Sequence, residues 1–281
     1  MTVLVVGSLH LDVVLNAPHL PTLDETVTGQ NVSYVFGGKG GNQAVAAAQL
    51  GATVHFAGRA GSDGFGDLLR ATLADKQIDV SRLQRDPGPS GMSAAIVDAQ
   101  GGYGAVIVSA ANLNIDAQHI TVPKDVSVVL LQNEIPEAVN LAVAQQAKEI
   151  GAKVWLNAAP ARPLKDDLVG LLDLLIVNRV EAEYYARTDH NVETLVTLGS
   201  QGLVYREQSQ PGFVVDVTST HGAGDMFVGT LAAEVAGGTP IERALKTAQA
   251  AAALHVSAEP DSRANLTRDH VVAFLNAQNI R

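Results

Sequence analysis

The segment Thr218-Ser-Thr-His-Gly-Ala-Gly-Asp225-Met-Phe-Val-Gly229 carries the residue types and spacing best suited to chemistry. It follows an apolar run at 213–217 that reads as a strand, and it opens an alanine-rich stretch at 226–236 that reads as a helix. The small residues Gly222, Ala223 and Gly224 let the backbone turn sharply and leave N–H groups bare at a helix N-terminus, where the macrodipole favours negative charge. A carboxylate, Asp225, beside such an anion site is unfavourable unless it takes a proton from an incoming hydroxyl. An anion hole next to a carboxylate base is the equipment of phosphoryl transfer. The plain alternative is a strand–turn–helix junction with Asp225 near the N-cap. The segment alone leaves both readings open.

Five further motifs stand where chemistry is to be expected. Gly37-Gly-Lys-Gly-Gly-Asn-Gln-Ala44 concentrates glycine at a helix start, which costs chain entropy unless the backbone must touch something closely. It is neither a Walker A loop nor a dinucleotide fingerprint. Backbone amides and Asn42 suit polyol hydroxyls, and a tightly packed helix-start turn is the alternative. Asp12 lies just past the first strand, at the carboxyl end where open α/β sheets bind ligands, and can accept hydrogen bonds from two vicinal hydroxyls. Gln132-Asn-Glu134 closes another apolar strand in the same way. Asn178 and Glu181 can hold a hydrated Mg²⁺ or form an N-cap with its capping box. Thr197-Leu-Gly-Ser-Gln-Gly202 suits nucleotide phosphates or a hairpin turn. The eight histidines show no metal-ligand pairing, and only His10 and His221 lie beside a proposed site.

The elements that would position these residues alternate. Apolar strand-like runs at 3–6, 54–57, 126–131, 153–157, 172–177, 194–198 and 213–217 are separated by helical patterns at 39–50, 65–76, 137–150 and 241–256. Such strands between helices predict a parallel sheet covered on both faces. The regions 12–36 and 91–109 alternate apolar and polar residues between turn signals, so they predict hairpins forming a small sheet, a lid over the site. The expected organisation is a single α/β domain over 1–281 with that lid inserted. With 281 residues, 47% apolar, the chain can bury a large core. Its net charge of −10 argues against nucleic acid, and the lack of cysteine excludes disulfides and thiolate chemistry. No signal peptide or membrane-length apolar run is evident, so a cytoplasmic protein without membrane partners is expected.

In their order, Asp12, Gly37–Ala44, Glu134, Asn157-Ala-Ala-Pro-Ala-Arg162, Asn178-x-x-Glu181, Leu198-Gly-Ser-Gln-Gly202 and Gly222-Ala-Gly-Asp225 resemble the ribokinase family of sugar kinases, the phosphofructokinase-B-like group. The likeness spans about 3–257 and is most similar to the ribokinase branch. It implies a three-layer α/β/α domain with a mostly parallel sheet and a β-sheet lid, and transfer of the ATP γ-phosphoryl group to a primary alcohol of a sugar or nucleoside. It also implies that Asp225 is the base and that the amides of Gly222, Ala223 and Gly224 form the anion hole. His10, Asp12, Gly38, Lys39, Asn42 and Glu134 would hold the sugar. Asn178, Thr197, Gly199, Gly202 and Gln249 would bind the nucleotide, with Glu181 and Asn178 reaching Mg²⁺ through water.

Four positions depart from the family pattern. His10 replaces the usual Asn in the sugar site, which leaves the sugar open. Ser219 stands where an acid normally helps bind an activating potassium ion, and 256–265 lacks the Arg-x-Gly of that cation loop; both count against potassium activation. The stretch 187–194 is too short for the usual helix before the strand at 194–198. The expected activity is thus an ATP- and Mg²⁺-dependent sugar kinase. A nucleoside or pseudouridine-type kinase of the same family is an alternative, and a non-catalytic sugar-binding regulator is one from another class. A nicotinamide dehydrogenase fails on the missing dinucleotide fingerprint. The exposed apolar face of a lid sheet also suggests a homodimer.

Overall fold

The computed structural model describes residues 2–188 and 190–279. The first strands are β1 (Thr2–Val6), β2 (His10–Ala17), β3 (Asn31–Gly37), β4 (Thr53–Gly61), β5 (Asp79–Asp86), β6 (Met92–Asp98) and β7 (Tyr103–Val108). They are followed by β8 (Val126–Gln132), β9 (Lys153–Asn157), β10 (Leu174–Asn178), β11 (Thr194–Thr197), β12 (Leu203–Tyr205) and β13 (Gln208–Gln210). Nine of these form one sheet in the order β13-β12-β11-β10-β9-β8-β1-β4-β5, parallel except for the β11–β12 and β12–β13 pairs. The other four form a separate sheet, β3-β2-β6-β7.

The helices are α1 (Lys39–Gln49), α2 (Gly64–Asp75), α3 (Glu137–Glu149), α4 (Asp166–Val169), α5 (Arg179–Tyr185), α6 (Ala223–Ala236), α7 (Ile241–Ser257), α8 (Pro260–Arg263) and α9 (Arg268–Asn279). Alternation along the strands assigns the helices to layers. In β1 every residue is buried, Val3 and Val5 in one apolar cluster and Leu4 and Val6 in another. The first cluster takes in α1, α2, α6, α7 and α9, and the second takes in α3, α4 and α5. The three-layer α/β/α arrangement therefore follows from continuous apolar strands that must be covered on both faces.

Two packing details prepare the site. Small residues on α1 and α6 bring those helices close: a Cβ at Gly229 would lie 2.4 Å from Gln43 O and 2.6 Å from the Ala46 Cβ. The N-termini of both helices then open toward the carboxyl ends of the central strands, where α/β sheets place their ligands.

Several expectations need correction. The run 213–217 is not a strand; it crosses the surface as an irregular segment with Val214 98% exposed. The sheet instead turns back after β11 through β12 and β13, the first return being made at 197–202, where a hairpin turn was one of the two readings. The strand β5 and the helix α9 were also not foreseen. The regions 12–36 and 91–109 do supply β2, β3, β6 and β7, with β2 beginning earlier, at His10. Among the described residues, no helix lies between α5 and β11, in keeping with the short 187–194 stretch; its Asp189 lies outside the described residues, as do Met1, Ile280 and Arg281 of the predicted 1–281 domain.

Candidate active site

The carboxyl ends of β1, β8, β9, β10 and β11 present Ser8, Gln132, Asn157, Asn178 and Thr197 along one edge of the large sheet. Above this edge α6 begins. Its N-cap is Gly222, in the left-handed conformation with φ +76°, and no side chain caps the helix; of its first amides, that of Ala223 donates to Thr220 O at 3.2 Å. A side chain at 222 would be strained there. Asp225 is therefore not the cap but a residue of the first turn.

The Asp225 carboxylate is half-buried and held from both sides. Oδ1 accepts a hydrogen bond from Gln43 Nε2 at 3.0 Å, and Oδ2 accepts one from Asn42 Nδ2 at 3.3 Å. Desolvation by the surrounding protein pushes its pKa above the ordinary aspartate range, while the positive charge of Lys39 and the two amide donors pull the other way. Behind it Gln43, fully buried, also donates to Asn157 Oδ1 at 3.0 Å and accepts from Gln132 Nε2 at 2.9 Å. This chain of amides ties α1, α6, β8 and β9 together at the Asp225 carboxylate.

Two cavities meet at the start of α6. One, of about 690 Å³, is walled by Asp12, Asn42, Gly222, Asp225 and one face of the small sheet. That face carries Asp12, Val14, Ser33, Val35, Ser93, Ala95, Val97 and Tyr103, and the pairings Asp12–Val35 and Asp12–Ser93 put them in one row. Asp12 Oδ1 accepts a hydrogen bond from Ser93 Oγ. The other cavity, of about 480 Å³, is lined by Thr197, Gly199, Gly202 and Gln249, by Ala223 and Gly224, and by apolar walls including Phe213, Val215 and Val256. The predicted anion hole is thus shared, with Gly222 facing the first cavity and Ala223 and Gly224 the second.

The remaining predicted residues stand outside both walls. Glu134 Oε2 accepts from Ser8 Oγ and from Lys39 N at 2.9 Å, fixing the start of α1, for which Gly38 is the N-cap. Lys39 acts electrostatically on both Asp225 and Glu181, favouring the charged form of each. His10 is buried and its Nε2 has no partner. Asn178 and Glu181 form a complete capping box for α5, with Glu181 N donating to Asn178 Oδ1 at 2.9 Å and Asn178 N to Glu181 Oε2 at 2.8 Å. Burial raises the Glu181 pKa above its usual range. The turn at Gly199–Gln201 serves the β11–β12 hairpin and lines the second cavity at once.

Sequence reasoning missed Gln43 as a site residue, although it stands inside the glycine-rich motif. It missed Ser8 and Ser93, whose hydroxyls orient Glu134 and Asp12, and Asn112, which brackets Leu9 with bonds to its N–H and C=O at 2.9 and 2.8 Å. It also missed His255 and Arg263 in the wall of the first cavity. None of these has a local signal, because each acts on a partner distant in the chain.

The profile of the pfkB family of carbohydrate kinases matches residues 2–267. The chain is 33% identical to a ribokinase of Haemophilus influenzae, over 98% of this chain and 98% of that protein. It is 33% identical to a ribokinase of Bacillus subtilis, over 97% and 98%. Among solved structures, a ribokinase from Thermotoga maritima superposes with a TM-score of 0.87 at 28% identity, covering 98% of this chain and 99% of that one. An Arabidopsis thaliana ribokinase complexed with ribose and ATP gives 0.87 at 27% identity and 98% coverage of both chains.

Proposed function

The chain belongs to the pfkB family of carbohydrate kinases, and from that membership and the paired cavities we propose that it transfers the γ-phosphoryl group of ATP to the primary hydroxyl of a pentose, with ribose the first candidate. The observation that carries this reading is the uncapped N-terminus of α6 between the two cavities, with Asp225 one turn in. Sugar in the larger cavity would meet Asp12 and Asn42, whose carboxylate and amide can bind vicinal hydroxyls. Nucleotide in the smaller cavity would pack its base on the apolar walls and bring its phosphates toward Ala223, Gly224, Thr197 and Gly199.

Asp225 accepts the proton of the attacking hydroxyl, and its raised pKa makes it a better base than an ordinary aspartate. The amides at 222–224 receive the negative charge that develops on the phosphoryl oxygens. Lys39 supplies positive charge along the same path. The hard carboxylate of Glu181, with Asn178, fits the water-mediated holding of Mg²⁺, which would neutralise phosphate charge. The whole chain is one kinase unit in which the small sheet closes over the sugar, excluding water from the phosphoryl group. That sheet also offers the surface for a homodimer, and the cytoplasm, where ATP is abundant, is the place of action.

ADP release measured with purified protein across pentoses, hexoses and nucleosides tests the assignment. Saturable, Mg²⁺-dependent ADP production with a pentose is expected. Binding of sugars without any ADP formation would replace the reading with a regulatory sugar-binding role, and preference for a nucleoside would move it within the family.

A further inference from the structure

The loop leading into α6 is held by a guanidinium. Arg263, at the end of α8, donates from Nη2 to Ser219 O at 3.0 Å, from Nη1 to His221 O at 3.2 Å and from Nε to Ala258 O at 3.2 Å. Three main-chain carbonyls from two separate segments therefore converge on one positive group. His221 O is also approached by His255 Nε2 at 2.9 Å. A carbonyl can only accept, so this nitrogen carries the hydrogen, and burial lowers the His255 pKa. Ser219, whose carbonyl accepts from Nη2, is itself neutral and brings no negative charge to the guanidinium.

A cluster of carbonyl oxygens is stabilised by a cation or by donors in a fixed array. The residues so held, 219–221, immediately precede Gly222, the left-handed N-cap from which the anion-hole amides project. Arg263 also reaches the wall of the cavity that contains Asp225. We propose that Arg263 is a built-in cation that occupies the carbonyl cluster beside the anion hole and sets its geometry, so that this kinase works without a bound monovalent metal ion. Arg263 is a positioning residue, since it acts through the 219–222 backbone and touches no reacting atom. Its long-range positive charge also favours phosphate at the helix start.

The proposal rests on the kinase reading and is tested by comparing the wild-type protein with Arg263→Met and Arg263→Lys in tetramethylammonium, sodium, potassium and low-millimolar guanidinium chloride. Wild-type kcat should be the same in all four within about twofold. Arg263→Met should lose about a hundredfold in kcat in tetramethylammonium, with a smaller change in sugar KM, because misplacing a catalytic group by about 1 Å costs that much. Potassium or guanidinium should restore at least about a tenth of the lost rate by filling the vacated cluster. The melting temperature of Arg263→Met should rise with the same two cations, while that of the wild type should not. Arg263→Lys, which keeps a cation on a flexible stem, should fall between the two and respond less to added cations. Strong potassium activation of the wild type overturns the proposal, as does a wild-type kcat in folded Arg263→Met. Loss of activity in both variants without any cation response in rate or melting overturns it too. If the wild type forms no ADP with any sugar, the kinase reading fails, and the cation-dependent melting of Arg263→Met still decides the role of Arg263.

Discussion

Asp225 sits between opposing demands. Its environment raises its pKa through desolvation, while Lys39, Gln43 and Asn42 stabilise the ionised form a base must have. On the proposed mechanism, Asp225→Asn removes the proton acceptor but keeps size and one acceptor oxygen, so kcat should fall by at least about a hundredfold with little change in sugar affinity. Steady-state kinetics with the best sugar decide this, and a near-wild-type kcat would remove Asp225 from the mechanism. If Asp225 is the base, the active form is the carboxylate, so kcat/KM should fall as pH drops through its pKa, with the acid limb above the ordinary aspartate range. Lys39 lowers that pKa, so Lys39→Met should move the acid limb to higher pH. A limb that stays in place or moves down would show that Lys39 does not act on Asp225. Asp225 was legible from sequence because helix-start glycines and a carboxylate are local. Gln43 was not, since its three partners, Gln132, Asn157 and Asp225, are 89, 114 and 182 residues away.

At the scale of elements, the site depends on α1 and α6 meeting over the ends of β8 and β9. Gln43 is the polar link across that junction. Gln43→Ala leaves the Nε2 of Gln132 and the Oδ1 of Asn157 buried without this partner, and such a group costs about 1–3 kcal/mol. Thermal unfolding should register a drop of roughly 2–4 °C per kcal/mol. The variant should also move the acid limb of kcat/KM upward, because Asp225 loses a donor that favours its charged form. An unchanged melting temperature would show that water or a rotated neighbour replaces the amide. The elements were legible wherever periodicity was strong: α1, α3, α6 and α7 stand within a few residues of their patterns. The run 213–217 misled because an apolar segment was taken for a strand. Part of it is apolar for another reason, since Phe213 packs on Phe274 with ring centroids 5.2 Å apart and also lines the smaller cavity beside Val215. β5 was missed because its sequence, Asp79 to Asp86, is polar or charged except at Val80 and Leu83, as suits the edge of the large sheet.

For the whole molecule, the question is what the small sheet does with its apolar surface. Its face toward Asp225 walls the larger cavity, the one proposed for the sugar. Yet it exposes more than one ligand could cover. On β7 Tyr103 is 68% exposed, Val106 66% and Ile107 65%, and the alternation puts Tyr103 and Ile107 on the cavity side and Val106 on the other. Tyr34 and Val32 on β3 extend the outward patch. Contiguous exposed apolar surface of this kind marks an interaction site, and an edge strand such as β7 also offers unpaired backbone groups. A second copy of the chain is the partner that would always be present, and pairing the two small sheets would bury both faces of β7 and stiffen each cover over its own cavity. The double substitution Val106→Glu with Ile107→Glu sets one charge on each face of that strand. Sedimentation velocity at micromolar concentration should show a dimer for the wild type and a monomer for the variant. The variant should also have a higher sugar KM, because the unsupported sheet would close less often over the cavity. A monomeric wild type, or a variant that still dimerises, would mean that the apolar strand is covered in some other way and that closure owes nothing to a second copy.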